Sequence, residues 1–152
     1  MLEILNKESH RGAVLIACSY LDNQLQAIIA AFLLTGANAD KLLDGFNAPL
    51  GTFSARIAAA SALGLLRPAE GRECELLRKI RNEFAHKVDA NFDDPKIVAL
   101  TTELKYAAQD YNNVVMAPFG RFNTAAVGLI LSLTNRAHYV GQKRLVSQEW
   151  PT

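Results

Sequence analysis

Apolar residues in the first quarter of the chain recur at steps of four, three, four, three and four: Val14, Cys18, Leu21, Leu25, Ile28 and Phe32. That spacing puts all six on one side of a helix with 3.6 residues per turn. Alternation of period two is not sustained anywhere in the sequence, so the expectation is an all-α fold. Ile16, Ile29 and Leu33 fall off the stripe. A helix from about Ser9 to Leu34 is therefore apolar round much of its circumference, as the central helix of a bundle must be. Thr35-Gly36 is expected to end it, with glycine supplying the backbone freedom of a C-terminal cap.

The remaining helices follow from caps and breakers. A short one is predicted around Ala39 to Leu43, before the turn-rich run from Asp44 to Gly51. Thr52 or Ser54 caps a helix that runs to Leu63 and stops at Gly64. Its Ala58-Ala59-Ala60 run is small enough for a neighbour to come close. Pro68 opens a fourth helix to about Val88, with Leu77, Ile80, Phe84 and Val88 as its buried stripe. Gly71 weakens the first turn of that helix by up to about 1 kcal/mol relative to Ala. Asp93 or Asp94 before Pro95 starts a fifth helix, through about Gln109, with Ile97, Leu100, Leu104 and Ala107 or Ala108 facing inward. Residues 110–122 read as a loop whose Val114, Val115, Met116, Phe119 and Phe122 pack onto the body. Asn123 or Thr124 caps a last helix to about Leu145. The expected architecture is a single-domain helical bundle of five to six helices over residues 1–152, with no repeat, low-complexity tract or long linker dividing it.

Charge is segregated rather than abundant. The formal net charge is only +1, which argues against a non-specific nucleic-acid coat that works by phosphate neutralisation but leaves room for a local basic patch. Residues 121–149 hold Arg121, Arg136, Lys143 and Arg144 against Glu149, a local excess of +3, with His138 beside them. Residues 89–110 hold five acids and two lysines, an excess of −3. The two segments are candidates to pair, and the basic one is a candidate surface for nucleic acid or an acidic partner. Arg11 and Arg56 lie in apolar surroundings and need a carboxylate, for which Glu83 is the expected partner. Cys18 and Cys74 sit inside predicted helices without a CxxC or His cluster, so they read as buried thiols. No P-loop, GxSxG, HExxH or paired-carboxylate arrangement occurs, and neither metal nor cofactor is expected. The first residues lack a basic stretch followed by an apolar core, so no secretory leader is expected. The longest nearly apolar run, Ala125 to Leu133, falls short of the roughly 20 residues of a membrane span. A cytoplasmic protein is the expectation.

The fourth helix carries the chemistry. Between apolar anchors it reads Arg78-Lys79-Ile80-Arg81-Asn82-Glu83-Phe84-Ala85-His86. Arg78, Asn82 and His86 follow at intervals of four and share a face. Arg81 and His86 are five apart, about 140° round the helix. One straight helix does not aim both at a single atom, whereas a kink or a second copy across a dimer axis could. Histidine exchanges protons near neutral pH, and arginine holds a phosphate through paired N–H groups. Together with Asn82 they suit metal-free cleavage of an RNA phosphodiester by its own 2′-hydroxyl. The same residue types also form ordinary interhelical ion pairs.

Arg81 followed by four residues and His86 resembles the R-x(4–6)-H motif of the HEPN helical superfamily, and Asn82 matches the commonest form of that motif. A longer resemblance is to the mannitol operon repressor family of bacterial regulators. It rests on Glu8 to Gly12, Asn47 to Ile57, Ala62 to Leu66 and Ile80 to His86, in that order. After residue 90 it fades to general helical character with a basic end. The resemblance implies an all-helical regulator of sugar-alcohol uptake genes. No helix-turn-helix with a polar recognition helix is present. On the Ala-rich helix after Thr52, only Arg56 could make a bidentate contact to guanine. The expectation is therefore a homodimeric, non-enzymatic regulator that acts through a regulatory protein partner or through weak nucleic-acid contact. Arg78, Arg81, Asn82, His86, Arg136, Lys143 and Arg144 are its candidate binding residues. The alternative is a HEPN-type ribonuclease or RNA-binding module in which Arg81, Asn82 and His86 are catalytic.

Overall fold

The computed structural model describes residues 2–110 and 115–151, and eight helices lie along these described residues. They are α1 (Leu2–Lys7), α2 (His10–Phe32), α3 (Ala37–Leu43), α4 (Phe53–Ala62), α5 (Pro68–His86), α6 (Pro95–Thr102), α7 (Pro118–Leu133) and α8 (Arg136–Gly141). No strand occurs among the described residues. The all-α expectation holds, with more and shorter helices than the spacing alone suggested.

Helix α2 is the axis of the bundle. It packs against α1, α3, α4, α5, α7 and α8. Val14, Cys18, Leu21, Leu25 and Ile28 are all buried, and Phe32 is half-buried. By length and composition α2 is long and apolar enough to cross a membrane, although no uninterrupted apolar run in it announces this. Its apolar circumference is used by helix neighbours on several sides. Ser9 caps it by accepting from the Gly12 amide.

The end of α2 departs from expectation. Gly36 does not cap it; with φ +146° it precedes α3 instead. The orphan carbonyls of α2 are met by the chain's tail. The Leu145 amide donates to Phe32 at 2.8 Å, and Arg144 Nη1 donates to the carbonyls of Ala30 and Leu33.

Helix α4 begins at Thr52, whose hydroxyl accepts from the Ala55 amide. It ends in a Schellman turn. Gly64 sits at φ +69°, the Leu65 amide reaches the Ala60 carbonyl at 2.8 Å, and the Gly64 amide reaches Ser61. Helix α5 then runs back beside α4, and here Gly71 has a packing reason. A Cβ at Gly71 would lie 2.8 Å from Ser61 Oγ.

Helix α6 stops at Thr102 rather than near Gln109. The cause is a buried carboxylate. Glu73 on α5 accepts from the backbone amides of Lys105 and Tyr106 at 3.1 and 2.8 Å, holding them out of the helix. Leu104 and Ala107 are still buried, in a non-helical segment.

Helix α7 starts earlier than Asn123, with Pro118 in its first turn. Phe119 and Phe122, three apart, both pack on Phe92, with ring centroids at 5.3 and 5.8 Å. Thr124 is no cap; its hydroxyl donates to the Gly120 carbonyl and accepts from the Ala108 amide. Val115 is exposed, and Val114 lies outside the described residues. The expected long last helix breaks at Thr134-Asn135 into α7 and α8. The break turns Arg136 back toward the buried Glu70.

Candidate functional site

Two grooves border the polar face of α5. One, of about 480 Å³, lies between α5, α2 and the first turn of α4, and is lined by Arg78, Arg81, Asn82, Asp22, Thr52 and Ser54 among others. The second, of about 400 Å³, lies toward α6 and is lined by Arg78, Lys79, Asn82, Glu83, Lys96 and Leu100. Arg78 and Asn82 belong to both, so the surface is continuous across α5.

The arginines at this face differ in what holds them. Arg78 makes a two-nitrogen pair with Glu75, at 3.0 and 2.8 Å. Arg81 is half-buried, and among the described residues its guanidinium donates only to Asn82 Oδ1, from Nη1 at 3.0 Å. His86 is exposed, makes no side-chain hydrogen bond among the described residues, and lines neither groove. Within one chain, then, Arg81 and His86 are not brought together, as the five-residue spacing implies.

Glu83 does not serve Arg11 or Arg56. It pairs with Lys87 and Lys96, whose hydrogen bonds hold its carboxyl below the usual range. Arg56 is instead bound by Asp22 at 2.9 Å and by the carbonyls of Leu50 and Leu43. It staples the Asp44–Gly51 loop to α2. Arg11 donates to the carbonyls of Lys87 and Val88 just past the end of α5. That capping ends the helix before Val88, which is 96% exposed instead of buried.

The basic tail residues separate in the same way. Arg136 donates to both oxygens of Glu70 and to the Leu65 carbonyl. Arg144 caps α2 and also reaches Thr35 Oγ1. Lys143 makes no ion pair among the described residues and borders a third groove, of about 290 Å³, with Arg136, Tyr139 and Phe32. The expected pairing of basic and acidic segments is met by Arg121 and Asp110, at 2.8 Å.

Sequence reasoning passed over Glu70, Glu73 and Asp22. All three had a signal: an acid inside a helix otherwise used for packing, which requires a partner. Cys18 and Cys74 are buried free thiols, each pushed up to about 12 by burial. No group of three or more His, Cys, Asp or Glu side chains among the described residues could hold a metal ion.

No family model and no curated protein matches this chain. Among solved structures it is similar to a chain of the MtlR–HPr complex from Escherichia coli, determined by X-ray crystallography. The TM-score is 0.62 at 24% identity, over 92% of this chain and 95% of that one. The likeness is one of fold, over nearly the whole of both chains.

Proposed function

We propose that this chain is a non-enzymatic, homodimeric cytoplasmic regulator of the mannitol-repressor type that acts by binding a protein partner. The observation that carries this reading is the near full-length fold likeness to a chain from a complex of a mannitol operon regulator with HPr. The four sequence segments that resemble that family agree with it. The candidate partner surface is the face of α5 bearing Arg78, Arg81, Asn82 and His86, with Lys143 on the other end of the molecule.

Direct reading of an operator through α4 is disfavoured by the geometry. Arg56, its one residue suited to guanine, is buried and held by three partners. The ribonuclease alternative needs Arg81 and His86 at one phosphate, and in one copy they border different surfaces.

The test is calorimetric titration of the purified chain with the host's HPr. Saturable binding is expected, weakened about tenfold, or 1.4 kcal/mol, by Arg81→Ala. Absence of any heat or complex, together with metal-free cleavage of single-stranded RNA that disappears in His86→Ala, would replace the regulator reading with the nuclease one.

A further inference from the structure

Nine arginines occur in the chain. Arg56, Arg67, Arg72, Arg78, Arg121 and Arg136 each hold a carboxylate. Arg11 and Arg144 each hold backbone carbonyls at a helix end. Among the described residues, Arg81 alone has neither; its bond is to the neutral amide of Asn82. A half-buried guanidinium gives up water, and the usual compensation is an anion or a set of carbonyls. At Arg81 no described residue supplies that compensation.

The groove beside it completes the picture. Arg78 stands one turn away on the same wall, and the Ser54 and Thr52 segment forms the opposite wall. Asp22 also lines the groove, but its Oδ1 is engaged by Arg56 at 2.9 Å, so that charge is balanced from behind. The Glu75 charge is likewise taken by Arg78. Arg81 is what remains. The first turn of α4 adds a weaker field of the same sign. The volume, about 480 Å³, lies in the range of small-ligand sites and exceeds what a bare anion needs.

We infer that this groove binds a small phosphate monoester, with Arg81 on the phosphoryl oxygens, and Asn82 and Ser54 as hydrogen-bonding side chains beside it. Phosphate suits the site better than carboxylate because its three free oxygens can take the Arg81 guanidinium and the neighbouring Asn82 and Ser54 donors at once. The groove's polar lining fits a polar organic body. The groove shares Arg78, Arg81 and Asn82 with the proposed partner surface, but the inference stands on the groove's own chemistry and is read on the chain alone, so the two readings fail separately.

The experiment is an amide-resolved NMR titration of the full chain with inorganic phosphate and with glycerol phosphate, at ionic strength held constant with chloride. Saturable shifts at Ser54, Arg81 and Asn82 are expected, with a Kd at or below about 1 mM for the ester. Arg81→Gln should weaken binding at least about tenfold, while Lys7→Gln, at an exposed position of α1 outside this groove, leaves it unchanged. Ser54→Asp puts an acid at an exposed position in the first turn of α4, where the helix favours it, and should abolish binding by repulsion. The inference is overturned if shifts do not saturate, if chloride competes on equal terms, or if Ser54→Asp binds phosphate as the wild type does.

Discussion

Arg136 on α8 donates to Oε1 of Glu70 on α5 at 2.7 Å, joining two residues 66 apart at a carboxylate with no exposed side-chain area. Arg67 and Ser132 donate to the same carboxylate. The start of α5, α7 and α8 therefore meet at one buried charge. Burial alone would raise the Glu70 carboxyl, but the hydrogen bonds from Arg136, Arg67 and Ser132 outweigh it and bring it down from 4.5 to about 2.

Stability should follow that carboxylate. Glu70→Gln leaves Arg136 without its counter-charge and is expected to cost about 3 kcal/mol at neutral pH. A carboxyl whose folded pKa lies below its unfolded value stabilises fully above the unfolded value and loses that contribution as pH falls. The gap between wild type and variant in urea unfolding should thus be constant above 4.5, shrink below it, and close near 2. A gap that persists unchanged in strong acid would contradict this account.

Arg56 and Arg81 are expected to behave in opposite ways, though both are arginines on a helix beside α2. Arg56→Lys loses a fork that reaches Asp22, Leu50 and Leu43 at once, and should cost about 2 kcal/mol because an ammonium cannot span those directions. Arg81→Gln removes no ion pair and should stay within about 0.5 kcal/mol of wild type. Thermal unfolding of the two variants side by side makes the comparison.

The glycine in α5 offers a separate check. Gly71→Ala gains helix propensity but sets its Cβ 2.8 Å from Ser61 Oγ, so its benefit should fall short of the roughly 1 kcal/mol expected of an open site. Adding Ser61→Ala removes the obstructing oxygen, and the double variant should recover the full gain. Denaturant midpoints for the four members of the cycle read the coupling directly.

Cys18 and Cys74 should be inert in the folded protein. Both thiols are buried and pushed up to about 12 by that burial, leaving almost no thiolate at neutral pH. A thiol reagent should label neither until denaturant is added, when both should react. Rapid labelling of the native chain would show that the core around Leu77 opens.

Much of this molecule is legible in its residues. The period-3.6 stripe of α2, the Thr52 cap, the Gly64 stop and Pro68 at the start of α5 are local signals, set by backbone sterics and the nearest few side chains, and they appear where expected. The all-α class follows from them. So does the angular separation of Arg81 and His86, which is a property of any straight helix. What the residues could not settle alone is where partners come from. Glu73 ends α6 by taking two amides more than thirty residues away. Arg144 and Leu145 cap α2 across more than a hundred residues, so Gly36 has no capping to do. Arg136, read as part of a basic surface, belongs to Glu70. Arg81 becomes distinctive only after every other arginine is seen to have found an anion or a carbonyl. Local propensity is written within a few residues, whereas the satisfaction of buried charges and orphan carbonyls is a long-range matter that only the folded arrangement of helices decides.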